Sequence, residues 1–498
     1  MAVSFNQIPA GLKVPLFYAE MDNSMANLPS VDNRAIIIGQ RLSTGSVPAN
    51  TLGIMPNIDQ ADGMHGAGSQ LAEMLKQYRK NDPFTELWYL SLDDAVSSAA
   101  ATATLTIAGT ASVSGAIAVY LAGNRIVVGV NKNDTAAVVA ANIAAAVNAD
   151  TNALVSASVA GAAVTFTAKN KGTLGNDLTL LINHRGVSAN EYTPTGLTLT
   201  PTMFEGGAVD PNVGLALALL GDEPFEYIGL PYNDAANLDA IGVEMNDVTG
   251  RWSYARQLYG HVYSAKRGTL SEITTFGKTR NDQHVTVFGV ATAKPHPVFI
   301  EMAAELARIA VFINADPARP TQTGALVGIL PAPAGKDFNW SERQSLLNAG
   351  IATTYTVAGA VRIERAITTY QKNAWGQADV SYLDSETMHQ SAYVLRRLRN
   401  AITSKYGRHK LANDGTRFGA GQAIVTPSVI KGELLSEYRK LEDEGVVENF
   451  EAFKAALIVE RDASNPNRVN VLFPPDLVNQ FRILALLYQF RLQYPQIA

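Results

Sequence analysis

Apolar residues along this chain recur with two different periods, and the changes between them mark out its organisation. Near the start, Leu12, Val14, Leu16 and Tyr18 fall at every second position, the period of a strand with one buried face. Pro15 cannot donate to a ladder, and Pro9 and Pro29 lie nearby. The stretch 1–30 therefore reads as an extended arm carrying an edge strand. RAIIIG at 34–39 suits a buried strand; after a Gly-rich loop come a helical pattern over 69–80 and the strand-like ELWYLSL.

Around residue 96 the pattern turns to short alternating runs rich in Ala, Thr, Val and Gly, broken at Ala108-Gly109, Gly123-Asn124 and Ala160-Gly161. Such punctuation predicts strands joined by tight turns. Asp134 is placed to cap one short helix over 135–147. The segment 96–205 thus reads as a separate, mainly β inserted domain.

From 206 to 375 strand and helix patterns alternate. FEYIGLP, YGHVYSA, HVTVFGV and ALVGILP are strand-like, with helical stretches at 234–245, 269–280 and 297–313. That spacing predicts a largely parallel sheet covered by helices, so 31–95 and 206–375 form one discontinuous α/β core. Beyond 376 a long helix over 385–405 carries the stripe Met388, Ala392, Leu395, Leu398, Ile402. A second helix, from Pro427, places Ile430, Leu434, Tyr438 and Leu441 on one side. Three strand-like runs follow, KAALIVER, RVNVLF and NQFRILALLYQFRLQ. The last is apolar on both faces at 483–488, which a terminal strand needs only when covered on both sides. We read it as a second arm, with Ile483, Ala485 and Leu487 on one face, ending an α+β assembly domain over 376–498.

Composition agrees with a chain that folds: 47% of residues are hydrophobic and 17% charged. The length of 498 residues exceeds one ordinary core. A net charge of -5 gives no basic footprint for nucleic acid. No signal-peptide pattern opens the chain and no apolar run reaches membrane-spanning length. With no cysteine, disulfides, thiolate metal sites and cysteine nucleophiles are excluded.

Catalytic signatures fail one by one. Gly277-Lys278-Thr279 resembles the end of a phosphate loop, but Glu272 stands where the first Gly is required, leaving a helix with a glycine stop. Gly66 and Gly68 precede a helix, yet Leu71 occupies the third Gly position of a dinucleotide motif. His65 in that loop has no second ligand at metal spacing and is expected to be solvent-exposed. No GxSxG or HExxH occurs, and His284 and His296 read as loop or core residues. No cofactor and no metal are expected, and the chain does not read as an enzyme.

Charge is unevenly distributed in the last third. Arg396, Arg397, Arg399, Lys405, Arg408 and Lys410 run without an intervening acid, whereas 433–451 is acidic, with Glu433, Glu437, Glu442 and Glu444 among its carboxylates. One reading pairs the two runs inside a subunit; the other sets them against a neighbouring copy or an inner partner. Candidate contacts of the second kind are Lys431, Glu433, Glu437, Lys440, Arg396, Arg397 and Arg399, with the helix from 427 to 443 facing the partner.

The opening FNQIPAGLKVPLFYAEMDNS, the insert ending NKGTLGNDLTLLIN and the terminal RVNVLFPPDLVNQFRILALLYQFRLQYP, in that order, resemble contractile phage tail sheath proteins, especially those of Mu-like phages and R-type bacteriocins. The resemblance implies a subtilisin-like but non-catalytic α/β core, an inserted domain facing outward and a C-terminal domain facing an inner tube. It implies stacked hexameric rings in a helical sleeve that contracts to drive the tube through a cell envelope. Terminal arms would join strands of a neighbour's sheet. The implied partners are further copies, an inner tail tube protein, and baseplate and tail terminator proteins, with no direct nucleic acid and no membrane insertion. The implied location is the virion tail, assembled in the host bacterial cytoplasm. Two rivals stand beside this reading: another virion surface or adhesion component, and a hydrolase-like α/β enzyme.

Overall fold

The computed structural model describes residues 33–419 and 421–493; the candidate arm residues Leu12, Val14, Leu16 and Tyr18 lie outside them. Strand β1 (Arg34–Gln40) is followed by β2 (Thr51–Ile54), the short helix α1 (Ala61–His65), α2 (Gln70–Asn81) and β3 (Glu86–Leu92). Residues 35–38 of β1 are fully buried, as a central parallel strand covered on both faces requires. Ser69 starts α2 by accepting from the Ala72 amide (3.1 Å). His65 does not face solvent: it closes α1 fully buried, its ring edge-on to Tyr89 at 4.4 Å. The loop it occupies folds back on β1, with Leu42 donating its amide to the His65 carbonyl.

The insert comprises β4 (Thr102–Gly109), β5 (Gly115–Leu121), β6 (Asn124–Val130), α3 (Ala136–Ala149), β7 (Val155–Ala160), β8 (Ala163–Ala168), β9 (Leu180–Ile182) and β10 (Leu197–Pro201). They form two antiparallel sheets, β10-β4-β8-β7 and β6-β5-β9, with α3 packed on both. Asp134 does not cap α3. Its carboxylate accepts from the Asn131 amide (2.7 Å), closing the preceding turn, and Thr135 takes the cap position. Entry and exit are zipped by the bridges Ala99 to Ala208 and Thr102 to Glu205. The insert is not a loose appendage, because its apolar interior is continuous with that of the body.

The chain then completes the body with α4 (Gly214–Leu217), β11 (Tyr227–Gly229), α5 (Ala235–Met245), β12 (His261–Gly268), α6 (Leu270–Lys278), β13 (Val285–Ala291), α7 (Val298–Ala315), α8 (Trp340–Leu347) and the hairpin β14 (Thr353–Val357) to β15 (Ala360–Arg365). The six-stranded sheet runs β13-β12-β11-β1-β3-β2, parallel except for β2 at one edge. Helix α7 packs on β11 and β12 beside α2, which covers β1 and β3, and its side chains are buried almost throughout. ALVGILP is not a strand. Asn81 Oδ1 accepts from the Val327 amide (2.7 Å), Gln77 donates to the Val327 carbonyl (2.7 Å), and Gly328 turns with φ +83°. Side chains of α2 thus take the backbone groups of Val327, while Ala325 bridges to Arg362 and Leu326 donates to the Val361 carbonyl (2.9 Å).

The C-terminal part holds α9 (Ser385–Tyr406), β16 (Lys410–Leu411), β17 (Ile424–Val425), α10 (Pro427–Asp443), β18 (Val447–Glu448), α11 (Phe450–Ala456), β19 (Ile458–Arg461), β20 (Val469–Leu472) and β21 (Asp476–Leu477). Pro427 opens α10 where its missing amide costs nothing. Ile430, Leu434, Tyr438 and Leu441 are buried in a second, small core with Val394, Val447 and Phe453. On α9 the buried face is shifted from the expected stripe: Val394 is buried and Leu395 is exposed. KAALIVER divides between the end of α11 and β19, because its first residues continue a helix packed through Phe453. The last apolar run forms no strand with any described residue.

Candidate assembly surfaces

From Ile483 to the end of the described residues every side chain is exposed. Ile483 is 79% exposed, Leu487 82% and Tyr488 78%; Ala485 is exposed between them. A run of large apolar side chains with an unpaired backbone is costly in water for a single chain. The hairpin β19–β20 is, among the described residues, a sheet of two strands only, with exposed Ile458, Val471 and Leu472.

The charged runs of the last third meet inside the chain. Arg397 reaches Glu437 (3.3 Å) and Glu444 (3.1 Å), and Lys405 reaches Glu433 (2.5 Å). Lys440 binds Glu437 at 2.6 Å. Burial raises the Glu437 pKa, but Lys440 and Arg397 outweigh it and hold the carboxyl below its ordinary value. The Arg397 and Lys405 pairs fasten α9 to α10. Of the candidate contacts, Arg399 is exposed and Lys431 half-buried.

Arg396 has a different use. It turns away from α10 to the buried Glu226, just before β11, and donates to the Leu258 carbonyl (3.2 Å). His389 Nδ1 lies 2.5 Å from Glu226 Oε1, and its Nε2 lies 2.8 Å from the Tyr263 hydroxyl. This hub ties α9 to the amino ends of β11 and β12. It was not anticipated, although a lone carboxylate inside the apolar run FEYIGLP was the available signal.

At the opposite, carboxyl ends of the parallel strands, where open α/β sheets bind their ligands, the space is filled. Arg267 donates to the carbonyls of Ala291 (3.2 Å), Thr292 (3.1 Å) and Lys294 (2.9 Å). Its Nε lies 3.7 Å from Asp177 of the insert. Buried His296 stands against Gly123 in the β5–β6 turn. At the amino end of β13, His284 is held by Asp247 (3.0 Å) and stacked on Trp252. Among the described residues no group of His, Asp and Glu could hold a metal ion, and none of their helices is long and apolar enough to cross a membrane. A cleft of about 570 Å³ at the seam of body and insert carries Asp62 and Lys169, but Asp62 is tied to Lys76 at 2.6 Å.

Comparison with known proteins agrees with surfaces made for packing. The phage tail sheath protein central domain matches residues 206–369, and the phage tail sheath C-terminal domain matches 377–491. The Mu-like prophage FluMu tail sheath protein of Haemophilus influenzae is 41% identical over 493 residues, spanning 98% of this chain and 100% of that protein. The chain belongs to the phage tail sheath family. Membership makes it a structural component of a contractile tail sheath, not an enzyme. Solved sheath structures are more distant. The sheath tail protein of Desulfitobacterium hafniense is 12% identical, covering 93% of this chain and 97% of that one at a TM-score of 0.48. The sheath of the PVC extracellular contractile injection system in its contracted state is 9% identical, covering 97% and 98% at a TM-score of 0.48.

Proposed function

We propose that this sheath protein polymerises as a helical sleeve of stacked hexameric rings around an inner tube, and that terminal arms passed between copies hold the sleeve together while it contracts. The observation that carries this reading is the exposed apolar run over 483–490, a strand-competent segment that forms no strand with any described residue. Added to a sheet edge of a second copy, each main-chain hydrogen bond contributes about 0.5–1.5 kcal/mol net. Covering the side chains contributes about 25 cal/mol per Å² of apolar area. The open hairpin β19–β20 is the acceptor we favour, since it offers free edges beside exposed Ile458 and Leu472. The N-terminal run Leu12, Val14, Leu16 and Tyr18 serves as the second arm in this scheme.

During contraction the globular bodies rotate and repack while the strand-paired arms act as hinges, and the extended sleeve relaxes to a better-packed state without a nucleotide. The body is read as the subtilisin-like, non-catalytic core implied by the resemblance; its parallel sheet between helices supports this. The charged side of α10, with half-buried Lys431 and exposed Arg439 and Lys440, is assigned to the tube. Baseplate and tail terminator proteins would close the two ends of a virion tail assembled in the host cytoplasm.

Electron microscopy of the purified protein tests the reading, which expects striated hollow cylinders. Removing 483–498 should leave folded monomers that form no tubes. Fibres, caps or isolated trimers from the full chain would favour a surface or adhesion component. Normal cylinders from the truncated chain would defeat the arm model.

A further inference from the structure

The root of the exposed tail is fastened to the α/β body by a set of polar contacts centred on one arginine. Gln480 donates to the Ala318 carbonyl (3.4 Å), and Gln322 donates to the carbonyl of Phe481 (3.1 Å). Arg482 Nη1 donates to Gln322 Oε1 (3.2 Å), while its Nη2 reaches Asp384 Oδ1 (3.2 Å) and Glu386 Oε1 (3.0 Å). The Arg482 side chain is 11% exposed and that of Glu386 0%, although Phe481 and Ile483 on either side are exposed. One residue of the run is thus turned inward.

Both carboxylates are prepared for this use by other groups. Asp384 occupies the N-cap of α9 but makes no capping hydrogen bond. Instead it takes a two-pronged contact from Arg365 at the end of β15, 2.8 Å at each oxygen. Glu386 Oε1 accepts from the amide (2.9 Å) and hydroxyl (2.7 Å) of Thr321. Ala318, Thr321, Gln322 and Arg365 belong to the body, and Asp384 and Glu386 to the first turn of α9. No member of the small C-terminal core takes part.

We infer that Arg482 is a positioning residue that anchors the C-terminal arm to the α/β body, so that the arm bends only beyond it. The inference rests on reading 483–498 as an arm between copies. Its consequence is mechanical. A neighbour gripping the arm pulls on β15, the loop after α7 and the start of α9, and so moves the body as one unit, bypassing the small core of α9 and α10.

Arg482→Gln in the full chain tests it. Asp384 keeps Arg365, whereas buried Glu386 keeps only the neutral groups of Thr321, so the body is expected to fold with a lowered melting temperature. Tube formation should need about tenfold more protein, because an arm of undefined direction is less well preorganised. The chain has no cysteine, so Leu487→Cys carries a single fluorophore, whose anisotropy should fall when Arg482→Gln is added. Arg482→Lys, a point charge without the planar fork, should recover part of each effect.

Unchanged anisotropy of the Leu487→Cys probe together with wild-type assembly in Arg482→Gln would overturn the inference. If that variant fails to fold, Gln322→Ala decides: a fall in anisotropy supports the anchor and an unchanged anisotropy removes it. A chain ending at Arg482 separates the two readings. If it still makes tubes, the arm model falls. If it makes none while Arg482→Gln assembles with unchanged anisotropy, only the anchor falls.

Discussion

Glu226 keeps its charge in a place where burial alone would neutralise it. Burial raises its pKa, but Arg396 and His389 outweigh that and bring it to about 2, from 4.5. Its stabilisation, about 3 kcal/mol, is fully present above pH 4.5 and is lost as the pH falls toward 2. His65 and His296 act in another window. Burial, helped by Arg41 at the first and Lys80 at the second, lowers them from 6.5 to about 4 and about 3. The unfolded chain takes up these protons first, so stability falls as pH drops below 6.5, with the loss from these two groups complete near pH 3. Melting temperature measured against pH should therefore decline from about 6.5 downward. The double variant His65→Gln/His296→Gln should make that decline shallower, leaving the share of His261, which burial also lowers, and of carboxylates such as Glu226 and Glu437 that are held below their ordinary values. A decline unchanged in the double variant would remove the histidines from this account.

At the scale of elements, the decisive contact is the β5–β6 turn against the carboxyl end of the parallel sheet. Gly123 has φ +85°, and an added Cβ would lie 2.2 Å from the His296 ring. Gly123→Ala should therefore combine backbone strain with overpacking and destabilise by about 1–3 kcal/mol. Gly161→Ala, in the β7–β8 turn where nothing lies within 4 Å, should cost only about 1 kcal/mol, from backbone strain alone. The midpoints of urea denaturation compare the two directly, and equal shifts would mean that the insert and body are not tightly seated. Local chemistry explains other elements. Thr269 and Glu272 form a reciprocal capping box at the start of α6, and Gly277, near its end, lies against the Ala349 carbonyl, where a Cβ would meet it at 2.2 Å. The residues that suggested a phosphate loop are thus packing against a neighbouring turn.

For the molecule as a whole, opposite charges are largely spent within one subunit, whereas apolar surface at the tail is left open. Sheath assembly should therefore change little between about 0.05 and 0.5 M NaCl, because screening acts mainly on exposed pairs. Sedimentation of polymer across that range checks this; a steep loss would show that Arg399, Lys431 or Arg439 meets acids on a neighbour. By itself the sequence determined the periods: Ala35 to Ile38 as a strand buried on both faces, Ile430, Leu434, Tyr438 and Leu441 as one helix face, and 483–488 as apolar on both sides. These follow from backbone geometry acting over a few residues, which leaves its repeat in the order of side chains. Tertiary structure alone decided where the polar groups go. Arg396 lies in a basic run yet pairs with Glu226, His65 lies in a glycine loop yet is sealed against Tyr89, and Arg482 lies in an apolar tail yet is buried between Asp384 and Glu386. ALVGILP has a strand's composition yet bonds to side chains of α2. Burial and pairing depend on which groups the whole chain path brings within a few ångströms, and no local pattern records that path.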